Sequence, residues 1–243
     1  MSRTLEGKVA LVTGGARGIG RAIVHQLAAD GASVIVNYVS NNQAAREVVS
    51  EIAAAGGKAV AVQADVSRAV DMQRLFEETQ AAFGHLDIVV ANAAVVVTKP
   101  LTESTEADFD HVFGTNAKGV FLTLREAGRR IRDGGRIIVV STAGTKMFLP
   151  NTPLYLGSKG AVEQFVRSLS RELGPCGVTV NAVLAGFTDT ALLPERDRPG
   201  AAGMSAFDRV GSPEEVADVI GFLASNAARW VTGQNIGACG GVA

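Results

Sequence analysis

Short apolar runs rich in β-branched residues alternate along this chain with longer segments of helical periodicity. Strands that are buried on both faces of a parallel sheet have this continuously apolar character, and the helices that connect them account for the longer segments. The pattern therefore predicts an α/β fold built from βαβ units. We place the strands at Val9–Thr13, Val34–Asn37, Ala59–Gln63, Ile88–Ala91, Ile137–Ser141, Thr179–Val183 and Asn235–Ala238.

The helical segments carry apolar residues three and four positions apart, so each has one stripe to lay on the sheet. These stripes are Ile19/Ile23/Leu27, Val48/Val49/Ile52, Met72/Leu75/Phe76/Thr79/Phe83 and Val162/Phe165/Val166/Leu169/Leu173. A further helix is predicted to begin after Ser212, a favourable N-cap that is followed by Pro213. Its apolar residues Val216, Val219, Ile220 and Leu223 are expected to face the core.

The length of 243 residues and the 47% share of hydrophobic residues allow one large core, so we expect a single domain over 1–243. The 23 basic and 24 acidic residues nearly cancel, which disfavours nucleic acid as a partner. A charged N-terminus, and no run of about 18 apolar residues, disfavour a leader and a membrane partner, so a cytoplasmic protein is expected. Cys176 and Cys239 match no metal spacing, and we interpret both as packing residues.

A glycine-rich turn lies directly between the first predicted strand and the first predicted helix, with the sequence Gly14-Gly15-Ala16-Arg17-Gly18-Ile19-Gly20. Glycines permit backbone conformations closed to other residues, and a helix N-terminus offers unpaired N–H groups to a pyrophosphate. The position at a strand-to-helix junction favours dinucleotide binding over a turn without a ligand. No Lys-Ser or Lys-Thr follows the glycines, so a nucleoside triphosphatase loop is not indicated.

Further motifs follow in a fixed order: Asp65-Val66 after the third strand, Asn92-Ala93-Ala94 after the fourth, and Tyr155-Leu-Gly-Ser-Lys159 later. With the glycine turn, this ordered set resembles the short-chain dehydrogenase/reductase family from about Gly7 to Gly241, in particular its NADP-dependent 3-oxoacyl-carrier-protein, polyketide and naphthol reductases. The resemblance implies a Rossmann-like, doubly wound sheet of seven parallel strands with helices on both faces. It also implies a bound NAD or NADP and a homotetramer.

The expected reaction is hydride transfer between NADP(H) and a carbonyl/secondary alcohol pair, with a tyrosine as general acid/base. Tyr155 and Lys159 are four residues apart on a predicted helix, so both side chains project from one face. A nearby ammonium is expected to lower the phenol pKa toward the working range. By resemblance, Lys159 also binds the nicotinamide ribose.

Two further residues complete the expected catalytic set. Ser141 ends the fifth strand fourteen residues before Tyr155, and its hydroxyl is expected to hold the substrate oxygen. Thr142 would fit a spacing one residue shorter, but Ser141 with Gly144 reproduces the local pattern of the family. Asn116 matches the family asparagine that holds a water in a proton relay, although it could equally satisfy helix backbone.

The segment after the second strand, Val36 to Asn42, contains no acid to accept hydrogen bonds from a ribose 2′-OH. Arg17 lies where resembling reductases direct a guanidinium at a 2′-phosphate, while Asn37, Ser40 and Asn41 can donate neutral hydrogen bonds. NADP(H) is therefore the predicted preference, with NAD(H) still possible. The complete set expected at the cofactor is Gly14, Arg17, Gly18, Ile19, Gly20, Asn37, Tyr38, Ser40, Asp65, Val66, Asn92, Ala93, Ala94, Tyr155, Lys159, Gly186 and Thr188.

The long segment at about 187–211 shows no regular pattern, and we interpret it as a substrate-loop insertion that acts as a lid. The apolar residues expected to surround the pocket favour an apolar ketone or its alcohol; they are Met147, Phe148, Leu149, Leu154, Phe187, Leu192 and Leu193. Three residues depart from the family pattern. Ala94 and Ala185 are expected to loosen the cofactor site, and Cys239 replaces a frequent aspartate.

Other functions are weighed against this one. A nucleotide-sensing or scaffold protein would keep the fold and use the cofactor as a ligand, but it would not need the four reacting residues together. An epimerase or dehydratase would need additional acid/base groups. His25, His85 and His111 are scattered and no Gly-x-Ser-x-Gly motif occurs, so a hydrolase triad is not indicated.

Overall fold

The computed structural model of the protein describes residues 4–243. The first three residues, which belong to the N-terminal segment that disfavoured a leader, lie outside the described residues. Each of the seven predicted strands is present to within two residues at either end. The strands are β1 (Val9–Val12), β2 (Ser33–Tyr38), β3 (Lys58–Gln63), β4 (Ile88–Ala91), β5 (Arg136–Thr142), β6 (Thr179–Ala185) and β7 (Asn235–Ala238).

The seven strands form one parallel sheet in the order β3-β2-β1-β4-β5-β6-β7, the doubly wound Rossmann-like arrangement that the resemblance implied. The connecting helices are α1 (Gly18–Ala29), α2 (Asn42–Ala54), α3 (Ala69–Phe83), α4 (Glu106–Phe113), α5 (Gly119–Arg130), α6 (Pro153–Glu172), α7 (Arg198–Met204) and α8 (Pro213–Ala224). The order reverses between β1 and β4, and ligands bind in open α/β sheets at such a switch point.

The sheet separates two apolar cores. Residues of α1, α2 and α8, such as Leu27 and Ile220, fill the core on one face. Residues of α3, α5 and α6, such as Phe76 and Val162, fill the core on the other face. Helix α8 begins as predicted, because the Ser212 hydroxyl and the Glu215 carboxylate form a reciprocal capping box with the backbone.

Several predictions about local structure are wrong. Phe165 is exposed at 36%, because it lies on the outer side of α6 and packs edge-on against Phe121. The segment at 187–211 is not wholly irregular, since it contains a 3₁₀ turn at Glu195–Asp197 and helix α7. Cys176 is exposed in a 3₁₀ turn and fills no core space. Within residues 4–243, no helix combines the length and apolarity that a bilayer crossing requires.

Candidate active site

The glycine turn between β1 and α1 has a backbone that other residues would not permit. Gly14 and Gly18 adopt positive φ angles of 64° and 51°. A Cβ on Gly20 would lie 2.1 Å from the Gly14 carbonyl oxygen, so a side chain is excluded there. The α1 N-cap residue, Arg17, makes no side-chain capping bond, which leaves the first-turn N–H groups free for an anion.

Buried polar side chains behind this turn hold its shape. The Asn37 carbonyl oxygen accepts a hydrogen bond from Gly14 N at 3.2 Å, and its amide donates to the Ala64 carbonyl at 3.0 Å. The Asn92 amide donates to the carbonyls of Thr13 and Gly14. The predicted direct contact from Asn37 to a cofactor is therefore wrong for this structure, because Asn37 is buried and both ends of its amide bond the backbone.

The opposite rim of the turn remains open. Arg17 is exposed and forms no ion pair with any other described residue. Tyr38 is half-buried and its hydroxyl donates to Asn42 at 3.0 Å, while Ser40 is exposed beside it. Asn41, predicted as a neutral donor, instead uses its carbonyl oxygen to cap α2.

The remaining predicted cofactor residues surround the switch point. Asp65 is half-buried and accepts hydrogen bonds from Ser67. The buried Val66 packs closely against Gly119, where an added Cβ would lie 2.8 Å from Val66 Cγ2. Ala93 N donates to the Thr13 hydroxyl at 3.1 Å. Four further residues also lie at or near the carboxyl ends of strands or at the start of α1; they are Ile19, Ala94, Gly186 and Thr188.

The loop after β6 approaches the glycine turn from above. Gly186 passes the C-terminal strand so closely that its Cβ would lie 2.7 Å from Cys239 Cα. Ala185 is the last residue of β6 and is paired with Thr142 and Ala238, so the sheet holds this strand end; the looser cofactor site expected from Ala185 stays a prediction. The Thr188 hydroxyl bonds the Gly186 carbonyl, whereas the Thr190 methyl lies 3.3 Å from the position of a Gly18 Cβ. Thr190 is thus the nearer hydroxyl-bearing residue to the turn, and the sequence did not single it out.

Helix α6 brings Tyr155 and Lys159 together at the crevice, with Lys159 Nζ 5.8 Å from the centre of the Tyr155 ring. Burial lowers the pKa of Lys159 to about 8, and the Glu163 carboxylate opposes this shift. Burial raises the pKa of Tyr155, and a hydrogen bond with the Thr142 side chain opposes the rise. The expected lowering of the Tyr155 pKa by Lys159 is not found, because burial is the dominant influence on the phenol; Lys159 Nζ itself donates to the Val140 carbonyl at 2.7 Å.

The end of β5 corrects the choice of the hydroxyl beside Tyr155. Ser141 continues the side of the strand that carries Val139, and its hydroxyl donates to Glu163 at 2.8 Å. Ser141 is 2% exposed, and Glu163 is the side-chain partner of its hydroxyl. Thr142, on the alternate side of the strand, is near enough to the Tyr155 phenol to oppose the rise of its pKa, and its hydroxyl accepts a hydrogen bond from Gly144 N at 3.2 Å. The structure brings Thr142, not Ser141, to the candidate proton donor.

Asn116 lies in a π-helical turn at Gly114–Lys118 between α4 and α5. Turns of this type interrupt regular helix bonding and occur often at functional sites. The Asn116 amide pairs with both backbone polar groups of Val95 at 2.9 Å and also donates to the Ser158 hydroxyl at 3.1 Å. Its side chain therefore ties the segment after β4 to α6, and both N–H groups of its amide are engaged in doing so.

A cavity of about 40 Å³ lies next to Thr142 and is walled by apolar side chains that include Met147, Leu149 and Phe187. Val242, near the C-terminus, also lines it and was not expected from the sequence. Phe148 is wholly exposed and Leu192 is 55% exposed, so the expected contribution of these two residues to the wall is wrong. Leu154 is buried within the structure.

Glu163 is a further residue of this site that the sequence reasoning missed. Its position, four residues after Lys159, continues the face of α6 that carries Tyr155 and Lys159. An acidic residue beside the apolar Val162 on a core-facing helix was the available signal, because carboxylates are rarely buried without a role.

The residues present fit a dinucleotide. A turn that excludes side chains, uncapped helix N–H groups and an exposed arginine suit the phosphates, and the buried lysine lies beside Tyr155. Thr142 lines the cavity and is near the Tyr155 phenol. The arrangement suits proton transfer to a carbonyl oxygen.

Comparison with known proteins agrees with this geometry. The family model described as enoyl-(acyl carrier protein) reductase matches residues 14–243. A hydroxynaphthalene reductase-like protein, Arp2 of Metarhizium acridum (strain CQMa 102), is 43% identical, covering 98% of this chain and 96% of its own. A dehydrogenase/reductase from Sinorhizobium meliloti 1021 superposes with a TM-score of 0.96 at 40% identity, covering 99% and 97% of the two chains.

The angucycline C-6 ketoreductase LanV with bound NADP superposes with a TM-score of 0.95 at 41% identity, covering 100% of this chain and 98% of its own. The same enzyme has also been solved with NADP and rabelomycin, and that structure superposes with a TM-score of 0.92, covering 98% and 97% of the two chains. The protein described here belongs to the short-chain dehydrogenase/reductase family of NAD(P)-dependent oxidoreductases.

Proposed function

We propose that the protein uses NADPH to reduce the ketone of an apolar, polycyclic aromatic substrate to an alcohol. The observation that carries this proposal is the proximity of the Tyr155 phenol to Thr142, a residue that lines an apolar cavity, together with the Lys159 ammonium 5.8 Å from the Tyr155 ring. A raised phenol pKa keeps Tyr155 protonated at neutral pH, so it is ready to donate.

When bound, the cofactor supplies the hydride that is added to the carbonyl carbon. The protein acts on the oxygen. The Thr142 hydroxyl donates a hydrogen bond to the carbonyl oxygen and orients it, and Tyr155 Oη donates its proton to the same atom. Lys159, charged below pH of about 8, binds the ribose of the cofactor and stabilises the Tyr155 phenolate until a proton from solvent restores the phenol.

The preference for NADP(H) rests on charge. Arg17 is exposed at the rim of the glycine turn, and no acid lies between Val36 and Asn42 to repel a phosphate. LanV, which contains NADP in its crystal structure, shares 41% of its residues with this chain. The pyrophosphate binds against the backbone of Gly14, Gly18 and Gly20. The 2′-phosphate lies next to Tyr38 and Ser40.

The substrate class rests mainly on the relatives, because a cavity of about 40 Å³ is much smaller than a polycyclic ketone and only the apolar character of its lining supports the class. The walls around Thr142 are mainly apolar, and Arp2 and LanV are named for naphthol-type and angucycline substrates. The segment at 187–211 covers the site as a lid and forms part of the same single domain. Gly211 N donates to the Phe187 carbonyl at 3.0 Å and Asp189 N donates to the Gly211 carbonyl at 2.8 Å, which holds the two ends of this lid together.

We also propose that the protein assembles as a homotetramer. Phe121 of α5 and Phe165 of α6 form an exposed edge-to-face pair beside Arg125, and a second copy of the chain would cover this apolar patch. Sedimentation analysis should give the mass of four chains. Phe165→Glu should lower that mass, because it places a charge in the contact.

The test of the function uses NADPH oxidation with a panel of naphthol-type and polycyclic aromatic ketones. Tyr155→Phe keeps the ring and removes the transferable proton, so turnover should fall roughly 10²- to 10⁴-fold while the NADPH Kd stays within about twofold. Turnover within a factor of two of the parent would remove Tyr155 from the acid role. A parent protein that binds NADPH but reduces none of the ketones would favour a nucleotide-sensing protein instead.

A further inference from the structure

Glu163 is a buried carboxylate in which each oxygen has side-chain partners. Oε1 accepts hydrogen bonds from the hydroxyls of Ser141 and Thr145, both at 2.8 Å. Oε2 accepts one from the Asn235 amide at 2.8 Å, and the half-exposed Lys146 ammonium lies 3.6 Å away. One carboxylate thus joins α6 to the end of β5, to the turn after it and to β7.

The position of this carboxylate relates it to the proton chemistry. Tyr155, Lys159 and Glu163 succeed one another at intervals of four residues on α6, and Glu163 is only 3% exposed. Its negative charge opposes the effect of burial on Lys159. The charged or titratable groups around Lys159 are Tyr155 and Glu163 on its own helix, with Lys146 beyond Glu163; β5 and β7 contribute the neutral groups of Ser141 and Asn235.

We propose, resting on the function above, that Glu163 is a positioning residue for this reaction: its hydrogen bonds fix the end of β5 next to α6, and its carboxylate lies one helical turn beyond Lys159 on the same face of α6 as the ammonium. The Ser141 hydroxyl then has a defined role, because it anchors the strand end to the carboxylate so that the neighbouring Thr142 faces the phenol. Removing the negative charge of Glu163 and removing its hydrogen bonds should therefore affect the protein differently.

Glu163→Gln separates these two roles, because the surrounding side chains can accept the amide. The Gln carbonyl can still receive the hydrogen bonds of Ser141 and Thr145. The Asn235 carbonyl oxygen is buried and has no partner among the described residues, so a flip of the Asn235 amide turns this oxygen toward the new Gln amide. The variant should therefore fold and differ mainly by one lost charge.

The readout is the NADPH Kd of the free enzyme as a function of pH, measured by nicotinamide fluorescence. Affinity should weaken in the parent as pH rises through about 8, where Lys159 loses its proton. Loss of the nearby negative charge lets the proton leave at lower pH, so the midpoint should move down by roughly half a unit or more in Glu163→Gln. An unchanged midpoint in a folded Glu163→Gln would overturn the proposal.

Two further variants make the result specific. Glu172→Gln removes the same charge from the exposed end of α6 and should leave the midpoint where it is. Asn235→Ala removes a hydrogen bond and keeps the Glu163 charge, so it should lower the Tm without moving the midpoint. A shift of equal size in all three variants would show a general effect of surface charge or stability and would also overturn the proposal. Failure of the function itself would show separately, as a parent protein that binds NADPH but reduces none of the ketones.

Discussion

The glycine turn and the catalytic end of α6 perform their tasks with opposite means. At the turn, the groups that face the crevice are backbone N–H groups, and the polar side chains of Asn37 and Asn92 are used from behind to shape it. At the start of α6, the functional groups are the side chains Tyr155 and Lys159, both largely withdrawn from water. The glycine turn thus depends on the absence of side chains at its glycines, whereas the start of α6 depends on a buried cation, the Lys159 ammonium.

This difference determines how each region tolerates change. A backbone site is rigid and loses its function when an atom is added, since the neighbouring backbone has no room to move. A side-chain site loses its function when a group is removed, but its buried charge also lowers stability. Substitutions in the two regions should therefore differ in their balance between stability and activity.

The largest effect is expected at the turn. Gly20→Ala places a Cβ against the Gly14 carbonyl oxygen, and overpacking against backbone costs about 3 kcal/mol or more, so NADPH binding should weaken roughly 10²-fold or more. Gly128→Ala is the matched control, because a Cβ there meets only side-chain atoms at 3.8 Å or beyond and should leave binding unchanged. Equal NADPH titrations for both variants would contradict the backbone role.

At the end of β5, Thr142→Val should reduce turnover on the order of 10²-fold, because it removes a hydroxyl at the developing oxyanion. Ser141→Ala should cost less turnover and more stability, since it breaks the bond to Glu163. Steady-state kinetics and urea unfolding of the two variants give the comparison. The reverse order in turnover would show that Ser141 turns from Glu163 to the substrate.

Lys159→Met should abolish efficient turnover and raise stability at neutral pH. The folded pKa of about 8 lies below the ordinary 10.5, so the unfolded chain binds the proton more tightly and the parent is destabilised below pH 8. The gain in unfolding free energy at pH 7 should reach up to about 3 kcal/mol. This gain in unfolding free energy should shrink as pH rises from about 8 to 10.5, because the parent no longer buries a charged Lys159 at high pH. A gain that is independent of pH would show that the buried charge is not its cause.

The smallest effect is expected at the rim of the turn. Arg17→Ala removes an exposed, charge-assisted contact with the 2′-phosphate, so kcat/KM should fall about tenfold with NADPH and little with NADH. Arg171→Ala removes an exposed arginine at the far end of α6 and serves as the control. A parent enzyme with the higher kcat/KM for NADH would reject the NADP(H) preference itself.

The comparison also separates what the sequence predicts from what it does not. The conformational preferences of glycine and of β-branched runs are local properties of the chain. The strands of the doubly wound sheet could therefore be predicted closely from the sequence. The partner of a hydroxyl depends instead on strand parity and on distant residues. Ser141 turns toward Glu163, 22 positions along the chain, and Asn37 toward Ala64, which no local pattern reveals.

The division of the interior into two cores has a practical consequence for engineering. Residues packed between α1, α2 and α8 share few neighbours with α6, because the sheet lies between them. Free-energy changes at sites without common neighbours add nearly independently. Directed evolution for heat tolerance can therefore repack the core under α8. The stability gained there can offset the stability lost to substitutions near α6 that widen the substrate range.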